Sequence, residues 1–71
     1  MNKYLIIIEE TTTGYSAYSP DLPGCIATGR TRREVERRMK SAIDFHLQGL
    51  RLAGEELPQP RAQAVYCEVA V

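Results

Sequence analysis

The stretch Ser19-Pro20-Asp21-Leu22-Pro23-Gly24-Cys25 decides how this chain can fold. Two prolines three residues apart exclude a helix and a central strand, because proline has no backbone N–H group to donate. Each proline also biases the residue before it towards extended geometry. Gly24 can adopt a positive φ without a steric penalty, which suits a sharp reversal. We therefore predict a stiff turn between two strands, pinned to the core by Leu22.

The segments on either side of this turn predict a single α+β domain with the element order β-β-β-α-β. Residues 4–8, 15–19 and 25–29 have strand character and predict the first three strands. Gly14 is the expected positive-φ residue of the first turn. Residues 62–71 predict a fourth strand, which a right-handed crossover places beside the first. We expect a four-stranded mixed sheet of order 3-2-1-4 with one helix on one face.

The predicted helix carries signals at both ends. Thr31 and Glu34 form a Thr-x-x-Glu capping box, and Gly54 suits a left-handed C-cap after a helix that ends near Ala53. A stripe at helical spacing is expected to pack on the sheet; its members are Val35, Met39, Ala42, Ile43, His46, Leu50 and Ala53. Surplus apolar surface lies outside this stripe. We assign three such residues to an interface between copies of the chain: Phe45, Leu52 and Tyr66.

Length and composition restrict the class of protein. The 71 residues make one domain, residues 1–71, and a hydrophobic fraction of 44% is that of a folded chain. The formal net charge of zero argues against attraction of the whole protein to nucleic acid or anionic membrane. Cys25 and Cys67 form no metal-binding or redox motif, so we expect two buried thiols, no metal and no cofactor. The apolar run at residues 5–8 is too short for a signal peptide or membrane span, and a cytoplasmic location is expected.

The uncovered face of the predicted sheet points to a protein partner. One helix covers only one face, whereas the first and last strands carry apolar side chains on both. An apolar face left in water is an aggregation hazard unless another polypeptide covers it. We therefore predict a protein-interaction module. The stiff turn and the aromatic residues near it are the expected partner-binding residues: Tyr15, Tyr18, Pro20, Asp21 and Pro23.

Two of these assignments have a structural alternative. The Asp21 carboxylate can accept backbone N–H groups, which is common turn chemistry and the role that we favour, or it can face a basic partner. A tyrosine such as Tyr15 or Tyr18 can equally belong to the core.

Several features together resemble the HicB-type antitoxin domain. They are Tyr15 in the first hairpin, the Pro-Asp-Leu-Pro-Gly-Cys string at 20–25, Gly29, Thr31 and Glu34 at the helix entry, Leu47-Gln48-Gly49-Leu50 near its end, and the Gly-Glu-Glu-Leu-Pro linker at 54–58. The resemblance covers nearly the whole chain. It implies a partial ribonuclease-H-like fold and a small cytoplasmic antitoxin.

The resemblance also implies a partner. In that family the antitoxin binds a small RNA-cleaving toxin, similar to HicA, and covers its catalytic histidine. Such antitoxins often oligomerise, so a homo-oligomer, either a dimer or a tetramer, is expected. Many relatives carry a C-terminal DNA-binding domain. This chain ends at Val71, directly after the last predicted strand, so DNA binding is not expected of it.

Enzymatic activity is not expected. A ribonuclease-H fold that cleaves RNA needs clustered carboxylates to hold metal ions, whereas the first strand offers only Glu9 and Glu10 at its end. His46 is the only histidine, and its place in the apolar stripe favours a packing role over catalysis or metal binding.

Arginines at the helix start offer an alternative function, stand-alone nucleic-acid binding. We favour a solvated face instead, on which Glu34 pairs with Arg38 four residues later and Glu36 with Lys40. A phosphate-binding patch would show binding that falls steeply with added salt. The residues that would form this patch are Arg30, Arg32, Arg33 and Arg37.

Overall fold

A computed structural model describes residues 2–71 and contains three strands and one helix. The strands are β1 (Ile7–Glu10), β2 (Tyr15–Tyr18) and β3 (Ile26–Gly29), and the helix is α1 (Arg32–Leu52). The central strand β2 pairs antiparallel with both neighbours, which gives the sheet order β1-β2-β3. These three strands and the helix lie where the sequence predicts them, except that β1 starts three residues later and ends two residues later than the predicted range 4–8.

The predicted fourth strand is wrong. Within residues 2–71 the sheet is three-stranded and antiparallel, not four-stranded and mixed with the order 3-2-1-4, although the α+β class is retained. Residues 62–71, termed the C-terminal segment, form no strand there and are mostly exposed. Alternation of apolar side chains shows that a segment can pair as a strand, but it does not supply a neighbour for the segment to pair with.

The sheet presents two different faces. Strand register and the alternation of side chains place one cross-strand row against α1; its residues are Ile8, Ala17 and Ala27. The adjacent row points away from α1 and is termed the outer row; its residues are Ile7, Tyr18 and Ile26. The single helix therefore covers one face, as predicted.

The core between sheet and helix is small. Its buried apolar residues among those described are Ala17, Leu22, Cys25, Val35, Met39 and Ile43. Three members of the predicted helical stripe are among them, whereas His46 and Leu50 are half-buried and Ala53 is exposed. Leu47, which the stripe omitted, packs against this core. A domain of this size hides only about 60% of the surface of its unfolded chain, so its stability is marginal.

The turn at residues 19–25, termed the proline turn, has the predicted form. Leu22 is completely buried, and Gly24 has a φ of +82°. The N–H of Leu22 donates to the carbonyl of Ser19, and the N–H of Cys25 to that of Leu22, both at 3.1 Å. Cys25 is buried as expected, but Cys67 is exposed, so the prediction of two buried thiols holds for only one.

Two glycines predicted to have a positive φ differ in outcome. Gly54 has a φ of +72°, and the N–H of Glu55 donates to the carbonyl of Leu50 at 2.9 Å, which completes the C-cap of α1. Gly14 does not adopt a left-handed φ. Its requirement for glycine is steric, because a Cβ at this position would clash with the carbonyl oxygen of Gly29.

Candidate protein-interaction surface

The outer row is the most exposed apolar feature of the sheet. Ile7 lies opposite Tyr18, and Tyr18 lies opposite Ile26, so the three side chains run across all three strands. Tyr18 is 41% exposed and Ile26 is 68% exposed. The next row on the same face is polar and contains Glu9, Ser16 and Thr28. An apolar row beside a polar one, centred on a tyrosine, has the composition of a protein interface.

The sequence predicts partner binding for only one member of this row. Tyr18 was predicted to bind a partner, whereas Ile7 and Ile26 were not singled out. The missing information was the pairing register, which decides which residues of separate strands stand side by side. The alternation within each predicted strand could have indicated which face each residue occupies, but not which neighbours it has.

The proline turn extends this surface, because it connects the end of β2 to the start of β3. Pro20 is exposed two residues after Tyr18, and Pro23 is exposed three residues before Ile26. Two backbone hydrogen bonds and the buried Leu22 fix the turn. A contact surface that is rigid before binding loses little conformational entropy when it meets a partner.

Asp21 ties the C-terminal segment to the proline turn. Its Oδ2 atom accepts the backbone N–H groups of Arg61 at 3.1 Å and Ala62 at 3.0 Å. A second tether joins the same region, since the Tyr4 hydroxyl donates to the carbonyl of Pro58. The carboxylate therefore holds backbone donors, but these come from a distant part of the chain rather than from the turn itself.

Tyr15 stands apart from the outer row. It points to the same face as Ala17 and packs, half-buried, against the core. It also lines a polar groove next to the start of α1, together with Thr28, Arg30 and Arg38. The structure therefore does not bring Tyr15 together with Tyr18.

The start of α1 is capped from both directions. Thr31 is the N-cap, and its Oγ1 accepts the N–H of Glu34 at 3.1 Å. Oε1 of Glu34 accepts the N–H of Arg30 at 2.7 Å, one residue before the position that a standard capping box uses. This backbone hydrogen bond, with a further contribution from the charge of Arg38, lowers the pKa of Glu34.

The arginines around this cap are exposed, and some of them are paired. Arg32 lies 3.4 Å from Glu36, and Arg38 lies 3.6 Å from Glu34. The predicted pair of Glu34 with Arg38 is confirmed, whereas Glu36 pairs with Arg32 rather than with Lys40. The other members of the predicted patch are also exposed: Arg30, Arg33 and Arg37.

The residues assigned to an interface between copies are exposed but do not form one patch. Phe45 is 79% exposed, Leu52 is 84% exposed and Tyr66 is fully exposed. Phe45 lines a groove between β3 and α1, and Tyr66 lines another beside β1, at the opposite edge of the sheet.

Residues 2–71 contain neither a metal-binding cluster nor a membrane-spanning helix. No group of three or more His, Cys, Asp or Glu side chains lies close enough there to hold a metal ion. The one long helix in this part of the chain, α1, is not apolar enough to cross a membrane.

Comparisons with known proteins agree on one family. The family described as the HicB-like antitoxin of bacterial toxin–antitoxin systems matches residues 4–69. An uncharacterised 14.9 kDa protein of Haemophilus phage HP1 is 43% identical over 56 residues, which are 79% of this chain and 42% of the phage protein. A UPF0150 protein of Thermoplasma acidophilum is 33% identical over 64 residues, which are 89% of this chain and 93% of that protein.

A solved structure points the same way. One chain of the HicA3 and HicB3 toxin–antitoxin complex superposes with a TM-score of 0.71 and 32% identity, covering 84% of this chain and 70% of that one. Because the family match extends over almost all of the described residues and the fold agrees, this chain belongs to the HicB-like antitoxin family of bacterial toxin–antitoxin systems.

Proposed function

We propose that this chain neutralises a small RNA-cleaving toxin by binding it and covering its active site. Family membership and the similarity to a chain of a toxin–antitoxin complex support a toxin partner. The observation that carries the proposal is the outer row, an apolar strip on the sheet face that α1 leaves uncovered, in which Tyr18 and Ile26 are exposed and Ile7 is half-buried. We further propose that the chain acts in the cytoplasm and as a homo-oligomer.

The sheet face that carries the outer row is too small to form a stable interface by itself. Three strands of four residues span only about 13 Å by 10 Å. A stable interface buries about 800 Å² on each partner, which is roughly one eighth of the 6150 Å² that this chain exposes. The contact must therefore extend beyond the outer row. The proline turn is the adjoining rigid surface, and Pro20 and Pro23 are its exposed members.

Substitutions on the outer row test this proposal. The double variant Tyr18→Lys/Ile26→Asp puts charge into the centre of the proposed contact. We expect it to weaken toxin binding by at least about 30-fold, the factor for about 2 kcal/mol at a central interface position. Growth rescue should be lost when the variant is co-expressed with a HicA-type toxin of the same genome, and purified toxin should cleave RNA in its presence.

The matched control is Gln48→Lys/Ser41→Asp, which adds the same two charges at exposed polar positions of α1. We expect it to bind the toxin as the wild type does. Circular dichroism establishes that both variants are folded. Full rescue by the outer-row variant, or equal loss with both variants, would contradict the proposed binding surface.

Nucleic-acid binding through the arginine cluster is less well supported. Glutamates neutralise Arg32 and Arg38, and the net charge of the chain is zero. Titration of a short RNA at low and at moderate salt separates the two functions, since phosphate contacts give a strong salt dependence. An undetectable interaction at low salt would remove this alternative.

A further inference from the structure

The C-terminal segment has the sequence of a strand but no neighbour to pair with. Its apolar side chains alternate at Val65, Cys67, Val69 and Val71. Val65 is 91% exposed and Val69 is 70% exposed. No backbone hydrogen bond joins residues 63–71 to the rest of the described chain. An extended apolar segment with unpaired N–H and C=O groups is a template for another strand.

The start of this segment is held in a fixed place beside β1. The hydrogen bonds of Asp21 to Arg61 and Ala62 set the point where it leaves the body of the domain. A groove of about 420 Å³ separates β1 from the segment; its walls include Leu5, Ile6, Ile7 and Ile8 on one side and Ala64 and Tyr66 on the other. β1 is an edge strand, so both walls carry backbone groups that lack a strand partner in the described sheet.

We propose that the C-terminal segments of two copies of this chain pair antiparallel, each filling the groove of the other copy. The resulting strand order is β1, segment of the second copy, segment of the first copy, β1 of the second copy. This arrangement has two-fold symmetry, and it pairs the open edge of β1 and both edges of each segment. A single strand from a different protein would fill one groove only. The segment suits pairing with itself, since Glu68 is its only charged side chain.

The side chains decide the register of this pairing. Opposite residues in an antiparallel pair point to the same face of the sheet, so the pairing register can change only in steps of two residues. Each such step moves the centre of symmetry by one residue. Centring the pair on Cys67 places each Val65 opposite Val69 of the second copy and each Tyr66 opposite Glu68. A pair centred on Glu68 would oppose two like charges, which is destabilising. The register centred on Cys67 is therefore preferred.

Disulfide cross-linking tests this register directly. Residues opposite each other in an antiparallel pair have Cα atoms about 4.5–5.5 Å apart, within the range that a disulfide bridges. Mild oxidation of the full chain should convert most of it into a covalent dimer through Cys67, while the buried Cys25 stays reduced. Cys67→Ser/Ala70→Cys moves the thiol to another exposed position, which faces Ala64 of the second copy rather than a thiol, and we expect at least tenfold slower cross-linking.

A second engineered pair keeps the test independent of Cys67. The variant Cys67→Ser/Val65→Cys/Val69→Cys should cross-link as fast as the wild type, because these two positions are opposite each other in the proposed register. Equal rates for thiols at positions 67 and 70 would indicate random collision and would overturn the proposed pairing.

The oligomeric state without oxidation provides the second readout. Light scattering after size exclusion should give a dimer for the wild type and a monomer for Val69→Lys, with unchanged circular dichroism. Gln59→Lys, at an exposed position before the C-terminal segment, adds the same charge and should remain dimeric. A monomeric wild type would overturn the proposal. Hydrogen exchange of the amides in the C-terminal segment would then show whether the segment is exposed, pairs with its own sheet, or is protected only when a toxin is added, and none of these results would rescue the proposal. This inference rests on the homo-oligomer of the proposed function and specifies its contact. Because the dimer test contains no toxin, its failure is distinguishable from a failure of toxin binding.

Discussion

Leu22 shows how one buried side chain fixes a surface turn. It lies between two prolines at the surface, yet it is completely buried in the same core as Val35 and Met39. We expect Leu22→Ala to lower the free energy of unfolding by about 2–5 kcal/mol, because a cavity remains in a small core. Urea denaturation measures this loss. Leu52→Ala is the control at an exposed position and should change stability by no more than about 0.5 kcal/mol. Similar losses in the two variants would show that Leu22 does not anchor the turn.

At the scale of elements, the helix and the turns could be predicted from sequence because their signals are local. Thr31 and Glu34 fix the start of α1, and Gly54 fixes its end. Each of these residues acts on backbone groups that lie within a few residues of it in the sequence. The outer row and the C-terminal segment could not be predicted in the same way. Both depend on which strands become neighbours, and a neighbour is a property of the whole fold rather than of the segment.

The first turn of α1 is also where the stability of this element depends on pH. The hydrogen bond from the N–H of Arg30 lowers the pKa of Glu34 from its ordinary value of 4.5. Because the pKa is lower in the folded state, the contribution of Glu34 is complete above the unfolded value and is lost as the pH falls through the folded one. Thermal denaturation should therefore show that Glu34→Gln is less stable than the wild type near neutral pH, with a difference that shrinks in acid.

Glu36→Gln is the matched control for this titration, since it removes a nearby charge of α1 that pairs with Arg32 and makes no hydrogen bond to the cap. It should reproduce little of the pH-dependent difference. A difference between the wild type and Glu34→Gln that stays constant into strong acid would show that the charged form of Glu34 does not stabilise the cap.

At the scale of the whole molecule, a small core leaves the arrangement of distant segments to a few polar contacts. Residues 2–71 extend over 49 × 27 × 19 Å, and the buried apolar residues among them come only from β2, the proline turn and α1. Apolar burial therefore does not hold the C-terminal segment in place. Its position depends on the acceptor that Asp21 provides and on the contact between Tyr4 and Pro58.

Asp21→Ala tests whether this tether organises the molecule. Without the carboxylate, the N–H groups of Arg61 and Ala62 lose their acceptor, and we expect their hydrogen exchange to accelerate about fivefold, the factor for about 1 kcal/mol. The amides of β2 should exchange at the wild-type rate near neutral pH, because the core does not include this bond. Asp44→Ala removes an exposed carboxylate from α1 and should leave both sets of amides unchanged. If Arg61 and Ala62 exchanged equally fast in all three proteins, the chain beyond the linker would be positioned by something other than Asp21. A selective change would establish that one carboxylate in the proline turn directs where the C-terminal segment leaves the domain.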